Sequence, residues 1–250
     1  MNDKPANKHP FSEVCGDVEV SALRLEDLYK RPVSDAVSPA EGILIMTSKI
    51  IEMTRVLSRC LSDAREPEME VCRTLAAEIH QHEKALTARL VSAEVSADTL
   101  RNIIRFPSRL ERIGDMLESV LNCCGIKERD SVRFDQRAHH ELDAVFEMLL
   151  GNLYTMRDAL VTPETAILAH IAARTSELDR TLHDFRAAHW ERLAAGICPP
   201  ESSSLYLDIF DSIRSVNEYV AKMSLTLAGM VTGSANYAGT GTGEASEPRV

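Results

Sequence analysis

The chain has 250 residues, of which 44% are hydrophobic and 5% aromatic, so it can bury the core of one large or two small domains and suits helix packing better than sheet packing. Its formal net charge of -10 argues against a nucleic acid as a partner of the whole chain. The N-terminus lacks the apolar segment of a signal peptide, and no apolar run approaches the ~20 residues of a membrane span, so we predict a cytoplasmic protein.

Six cysteines are spread over the chain without CxxC spacing, which argues against a zinc ribbon. Most of them fall in apolar helical stretches, so we predict buried free thiols in a reducing compartment. They are Cys15, Cys60, Cys72, Cys123, Cys124 and Cys198.

Residues 1–38 are interrupted by prolines, and we interpret them as an N-terminal arm or linker. A helix start overlaps their end, with Ser38 as the capping residue, Pro39 at the first helical position and Glu41 at the capping-box position. Apolar residues then recur with three-four spacing, which predicts a first amphipathic helix that ends near Ser62.

Two more helices are predicted in the first half, from about Glu68 to Ala93 and from about Ala97 to Cys124. Pro107 lies inside the later helix and should kink it, and Gly125 is suited to cap its end. The inward face of the earlier helix comprises Val71, Leu75, Ile79, His82, Leu86 and Leu90.

The second half shows three further helical patterns, from about Phe134 to Val161, from about Pro163 to Ala195 and from about Ser203 to Met230. Gly196 is expected to cap the middle one. The last residues, 231–250, are rich in Gly, Ser, Thr and Ala, so we predict a disordered tail.

Apolar positions of the first three helices align with those of the last three at shifts of 95, 96 and 100 residues. Any two amphipathic helices can be superposed in this way, but the conserved order and the nearly constant shift favour a duplicated unit. Because short connections make neighbouring helices antiparallel, we predict an all-α fold of two tandem, pseudo-symmetric three-helix bundles, over 39–125 and 132–230. Examples are Ile50 with Val145, Leu75 with Ile171 and Ile113 with Ile213.

The third predicted helix contains the segment Leu110–Asp115, which reads LERIGD. Its carboxylates Glu111 and Asp115 are four residues apart and therefore share one helix face. Two carboxylates on one face repel each other unless a cation lies between them. Two interpretations follow: they pair with Arg109, Arg112 or a neighbouring helix, or they form half of an oxygen-ligand metal site.

A duplicated three-helix bundle whose third helix reads LERIGD resembles the PhoU family of phosphate-signalling regulators, over roughly residues 40–230. In that family the third helix of each repeat carries a similar motif with an acidic pair. Here the second repeat departs from the pattern, because Asp211 matches Glu111 but Ser215 replaces the second carboxylate. Any metal site that the resemblance implies should therefore be asymmetric and lie in the first bundle.

A second segment, on the fifth helix and the loop after it, is similar to the cytoplasmic PhoU-like domain that follows the membrane part of bacterial sodium/phosphate cotransporters. We interpret its His189 and Trp190 most simply as residues that pack the helix end. The matching positions are Arg186, His189, Arg192, Leu193, Gly196 and Cys198.

The resemblance makes Glu111 and Asp115 candidate ligands of a divalent or iron-type ion, such as Fe, Zn, Mn or Mg. Two ligands do not complete a site, because a metal ion usually takes about four to six. Further candidate ligands by residue type are Glu78, His82 and Glu83 on the second helix and Asp208 and Asp211 on the last.

The resemblance also implies a regulator of phosphate uptake or phosphate-responsive signalling rather than an enzyme, and the sequence has no P-loop, Rossmann or GxSxG motif. The implied partner is a phosphate transporter or a phosphate-sensing histidine kinase. The chain would contact this membrane protein, rather than lipid, on the cytoplasmic side. A homodimer is also implied. Two alternatives stay open: a carboxylate-bridged metalloenzyme on a helical bundle, and a structural helical adaptor unrelated to phosphate.

Overall fold

The computed structural model describes residues 25–32, 37–62, 65–92 and 97–239, and this part of the chain is helical without a strand. The predicted all-α class is confirmed, whereas residues 1–24 of the predicted arm and 240–250 of the predicted tail lie outside the described residues. A 3-10 helix spans Leu25–Lys30, and the α-helices are α1 (Pro39–Ser62), α2 (Glu66–Ser92), α3 (Ala97–Ile103), α4 (Arg105–Arg129), α5 (Gln136–Val161), α6 (Thr165–Ala194) and α7 (Pro200–Gly239).

The long helices form two three-helix units. Helices α1, α2 and α4 pack on one another, and α5, α6 and α7 do the same. Between the units α4 lies against α7 and α1 against α5, so each first and third helix meets its own counterpart, as a pseudo-twofold arrangement requires. Across the α4–α7 contact, Arg109 Nη1 donates to the Lys222 carbonyl (2.9 Å) and to Thr226 Oγ1 (2.7 Å).

Burial follows the same repeat. At the shifts of 95, 96 and 100 residues, many buried positions of the first unit fall on buried positions of the second, which confirms the predicted pseudo-symmetry. Buried pairs of this kind are Leu57 with Asn152, Met46 with Glu141, Ile79 with Thr175, His82 with Leu178, Phe106 with Tyr206, Ile113 with Ile213 and Leu117 with Asn217.

The third predicted helix is broken rather than kinked. Helix α3 ends at Ile103, Ile104 is a turn residue, and α4 starts anew at Arg105. Pro107 therefore lies in the first turn of α4, where its missing N–H costs no intrahelical hydrogen bond. The break precedes the proline instead of occurring at it, because the first turn of a helix is where proline is tolerated.

Gly125 does not end α4, contrary to the prediction. The helix continues to Arg129, beyond the predicted end of the first bundle at residue 125, and closes through a left-handed Ser131 with φ 53°. Val71 was also predicted wrongly: it is 46% exposed, and its neighbours Met69 and Cys72 are buried on α2 instead.

The last helix is longer than predicted at both ends. It begins at Pro200, because proline suits the first helical position, and it runs to Gly239. Residues 231–239, which we assigned to the tail, are thus helical. Gly196 does close α6, with φ 71° and the paired hydrogen bonds of a Schellman motif from Gly196 N to the Leu193 carbonyl (3.0 Å) and Ile197 N to the Arg192 carbonyl (2.9 Å).

The 3-10 helix lies against α1 and covers a buried cation. Lys49 on α1 is fully buried, and its Nζ donates to the Tyr29 carbonyl (2.7 Å) and to Glu78 Oε2 (2.5 Å). Leu28 adds an apolar contact to the core. Part of the predicted arm is therefore a structural element that accepts a hydrogen bond from the buried Lys49, whose charge is neutralised by Glu78 on α2.

The five cysteines within the described residues are buried and free, as predicted. Burial raises the pKa of Cys72 and Cys124 to about 12 each, so these thiols stay protonated at neutral pH and behave as core residues. Cys15 lies outside the described residues.

Candidate functional site

The LERIGD segment lies on α4 with its apolar side on the core and its carboxylates at the edge. Leu110, Ile113 and Gly114 are buried, whereas Glu111 and Asp115 are half-buried. This is the placement that an amphipathic helix gives to residues flanking its apolar stripe. The carboxylates can therefore meet a ligand or a neighbouring helix.

Gly114 sets the distance between α4 and α2. A Cβ at this position would lie 3.2 Å from Ile79 Cγ2, which is tighter than ordinary van der Waals contact. The missing side chain thus lets α4 approach α2 closely beside the acidic pair.

Each carboxylate of the pair has a different nitrogen partner. Glu111 Oε1 lies 2.8 Å from Nδ1 of His80 on α2, and Asp115 Oδ2 accepts from Arg112 Nη1 at 3.1 Å. The interpretation as a polar face paired with Arg112 and a neighbouring helix therefore describes the observed contacts. The sequence does not predict His80 as part of the site, because it does not reveal the register between two helices.

The candidate ligands that we assigned to α2 have other partners. Glu78 pairs with Lys49, and Glu83 Oε1 accepts from Thr87 Oγ1 at 2.9 Å. His82 is buried near Lys49; burial, and then the charge of Lys49, lowers its pKa to about 4. The structure does not bring these three residues to Glu111.

The second copy of the motif forms an ion pair. Asp211 accepts hydrogen bonds from both terminal nitrogens of Arg186 on α6, the longer of them 3.2 Å. Ser215, at the place of the missing carboxylate, donates its hydroxyl to the Asp211 carbonyl at 2.9 Å. Asp208 is exposed. The pKa of Cys123 is raised to about 11, mainly by burial and to a smaller extent by the charge of Asp208.

Among the residues that the structure describes, no group of three or more His, Cys, Asp and Glu side chains is arranged to hold a metal ion. Glu111 and Asp115 supply two carboxylates of the right chemistry, but not a complete set of ligands. Metal binding there stays a prediction.

The second motif segment forms a buried polar network at one end of the second unit. Glu141 on α5 accepts from Arg192 Nη1 (3.0 Å) and Nη2 (2.7 Å), from Arg137 Nε (3.0 Å) and from the Tyr206 hydroxyl (2.7 Å). Burial by itself would raise the pKa of Glu141, but the hydrogen bonds from Arg192, Tyr206 and Arg137 lower it overall. Burial and the Glu141 charge raise the pKa of Tyr206.

Two more residues of that segment complete the network. His189 stacks on Tyr206 with ring centroids 4.4 Å apart, and burial, with Arg192, lowers the pKa of His189. The Schellman turn at Gly196 brings Cys198 back to the start of α5, where its Sγ donates to Asp135 Oδ2 at 3.6 Å. The pattern of His, Arg, Gly and Cys thus closes the bundle end, in agreement with the packing role predicted for His189. The same prediction is wrong for Trp190, which is 51% exposed.

Comparison with known proteins gives a likeness in structure only. No protein-family model matches the chain, and no curated protein matches its sequence. The crystal structure of PhoU from Pseudomonas aeruginosa has a TM-score of 0.67 and 17% identity, covering 78% of this chain and 96% of that one. The phosphate transport system regulatory protein PhoU from Streptococcus pneumoniae has a TM-score of 0.66 and 17% identity, covering 84% and 95%.

The chain has the PhoU fold. Because the likeness spans nearly all of both PhoU chains, both three-helix units take part in it. Within this fold, LERIGD occupies the third long helix of the first unit, where the resemblance in sequence places it. None of the described helices combines the length and apolar composition that a membrane span requires.

Proposed function

We propose that this chain is a PhoU-like regulator of phosphate uptake or phosphate-responsive signalling. The observation that supports this is the fold likeness over 95% and 96% of two PhoU chains, one of which is a phosphate transport system regulatory protein. The LERIGD segment on α4 adds independent support from the sequence. In this proposal the chain is a binding protein without an enzymatic reaction.

The proposed mechanism is contact with a phosphate transporter or a phosphate-sensing histidine kinase on the cytoplasmic side. The α2–α4 face with His80, Glu111, Arg112 and Asp115 is charged and partly exposed, which suits a polar contact with a partner. A homodimer remains part of the prediction, and light scattering on the purified chain measures it.

Deletion of the gene and complementation with variants test the proposal. Phosphate uptake and a phosphate-responsive reporter should lose their response to excess phosphate in the deletion strain, and wild-type protein should restore it. Glu111→Ala with Asp115→Ala should restore it poorly. The matched control is Asp143→Ala with Glu147→Ala, an exposed carboxylate pair at the same spacing on α5. A deletion strain with unchanged uptake and signalling would contradict the proposal.

We also propose that Glu111 and Asp115 contribute ligands to a divalent or iron-type metal ion, supported by their oxygen chemistry and spacing. Elemental analysis after loading with Fe, Zn, Mn or Mg measures this directly. Loss of metal in the Glu111→Ala, Asp115→Ala variant, and its retention in Asp211→Ala, is the expected result. Equal loss in both variants would refute the asymmetry, and metal-free wild-type protein would refute the site.

A further inference from the structure

A polar cavity of about 400 Å³ lies at the junction of the two units, where α4 ends and α5 begins. The end of α1 also reaches it, so all of its walls come from helix ends and the connection between units. Its lining residues are Ser62, Lys127, Glu128, Ser131, Val132, Arg133, Phe134 and His139.

The cavity has an excess of positive charge. Lys127 and Arg133 line it, and within the described part of the chain neither forms an ion pair. The neighbouring Arg129 and Asp130 satisfy each other, with Nε to Oδ1 at 2.8 Å. Glu128 is the one carboxylate in the lining. Neither Lys127 nor Arg133 is therefore committed to a carboxylate in the described part of the chain.

The backbone of the cavity wall holds a serine where glycine is the usual residue. Ser131 has φ 53°, and it closes α4 with hydrogen bonds from Ser131 N to the Glu128 carbonyl (3.2 Å) and from Val132 N to the Lys127 carbonyl (2.9 Å). A side chain in this left-handed conformation is unfavourable relative to glycine. Strain of this kind is concentrated at functional sites, and here the strained residue lines the cavity.

We propose that this cavity binds a tetrahedral oxyanion, a phosphate group that is either free or carried by a small molecule. The Arg133 guanidinium matches the geometry of two oxyanion oxygens, and the Lys127 ammonium adds a compact positive charge. The hydroxyls of Ser131 and Ser62 and the ring of His139 supply further donors. The inference rests on the cavity and does not require the proposed regulatory function.

An anion bound in this cavity would contact both three-helix units and so connect them. The lining comes from the end of α1 (Ser62), the end of α4 (Lys127) and the beginning of α5 (His139). An anion held by all three contributes favourable contacts only when the two units keep their relative placement. A bound anion therefore stabilises the junction, and in this way a small ligand can favour one relative placement of the two units.

Isothermal titration calorimetry of the full chain with inorganic phosphate, in an oxyanion-free buffer at constant ionic strength, tests the proposal. Lys127→Ala with Arg133→Ala should weaken binding by about 100-fold, roughly tenfold for each charge-assisted hydrogen bond removed. Arg129→Ala is the matched control and should bind as the wild type does, because Arg129 is an exposed neighbour paired with Asp130.

Titration with ADP separates the two sources of the phosphate group. Tighter binding of ADP than of inorganic phosphate, lost in the double variant, assigns a small molecule that carries phosphate, and the reverse order assigns the free anion. Wild-type protein that binds neither would overturn the proposal, and so would binding that survives the double variant. These outcomes are independent of the uptake measurements, which test the regulatory function.

Ser131→Gly and Glu128→Gln distinguish a binding role from a structural one. Ser131→Gly should raise the thermal midpoint, because it removes the left-handed strain, and yet weaken phosphate binding by about threefold to tenfold for one neutral hydrogen bond. Glu128→Gln should tighten binding, because it removes the one negative charge in the lining. A Ser131→Gly variant with unchanged affinity would contradict the role of the hydroxyl.

Discussion

The middle of the first unit is apolar, whereas the middle of the second holds a hydrogen-bonded pair of asparagines. Leu57 and Leu117 are fully buried at the positions that correspond to Asn152 and Asn217. Asn152 Nδ2 donates to Asn217 Oδ1 at 3.1 Å, and Asn217 Nδ2 donates to the Thr175 carbonyl at 2.8 Å. The third helix of this layer contributes the same contrast, since Thr175 corresponds to Ile79.

The contrast is repeated at the end of the units. Met46 and Phe106 are buried in the first unit where the second has Glu141 and Tyr206. Glu141 accepts hydrogen bonds from Tyr206 and from Arg192. Phe and Tyr fill the same space, but the hydroxyl of Tyr206 requires a partner once it is buried. The carboxylate of Glu141 supplies that partner.

In the first unit the buried ionisable side chains lie at positions different from those of the second unit. Lys49 and His82 lie near the 3-10 helix, and the corresponding residues of the second unit are Ala144 and Leu178. A duplicated frame thus keeps much of its pattern of burial while the polar groups move to new positions, where most of them form hydrogen bonds. We expect the second unit to be more sensitive to the replacement of its buried polar residues by apolar ones.

The largest effect should come from the Glu141 network. Glu141→Met, which copies the first unit, leaves the mostly buried Arg192 and the Tyr206 hydroxyl without their acceptor, so we expect a loss of about 3–5 kcal/mol in the free energy of unfolding. Urea denaturation measures it. Glu141→Met combined with Arg192→Met should recover much of the loss. A loss below about 1 kcal/mol in the single variant would show that the network is not a stabilising requirement.

Asn217→Leu should have the next largest effect. It leaves the Asn152 amide without its acceptor in the core, and we expect a destabilisation of about 1–3 kcal/mol. The double variant Asn152→Leu, Asn217→Leu restores the apolar layer of the first unit and should be more stable than the single variant. A double variant less stable than the single one would mean that the layers are not interchangeable.

Lys49→Met tests the charge buried in the first unit. The methionine replaces the apolar stem but leaves the Tyr29 carbonyl and Glu78 without the ammonium, and about 1–2 kcal/mol should be lost. Hydrogen exchange should increase over residues 25–32, because the cation joins this segment to α1. Unchanged exchange there would indicate that Leu28 suffices to hold the 3-10 helix. Lys84→Met, on α2, is the control.

The smallest effect concerns pH. His82 has a folded-state pKa of about 4, below the ordinary value of 6.5, so the unfolded chain binds more protons between these values. Stability should therefore fall on acidification from pH 6.5 towards 4, by about 1 kcal/mol over the first pH unit. His82→Leu, the residue of the second unit, should reduce this slope. A slope that is the same in His82→Leu and in the wild type would contradict the assignment.

The sequence predicts where the helices lie better than it predicts where they end. The apolar spacing predicted all six long helices, because one face of each must meet the core. The helix ends predicted at Gly125 for α4 and at Met230 for α7 were wrong, because a helix continues wherever its next residues gain packing or hydrogen bonds. A glycine favours a stop without imposing one.

The ligand candidates on α2 show a different limit. Residue type suggested Glu78, His82 and Glu83, yet the residue that meets Glu111 is His80. Helix periodicity places these residues around α2 but does not place α2 along α4. That register depends on packing, and here on the close approach at Gly114.

The sequence by itself determined the all-α class, the duplicated unit and the carboxylate pair Glu111 and Asp115 on one helix face, because these follow from spacing along one chain. Only the tertiary structure decided that Glu111 meets His80, that Lys49 pairs with Glu78 and donates to the 3-10 helix, and that Lys127 and Arg133 line one cavity. Such contacts join residues far apart in the chain. Their partners depend on how whole helices pack, which local periodicity does not encode.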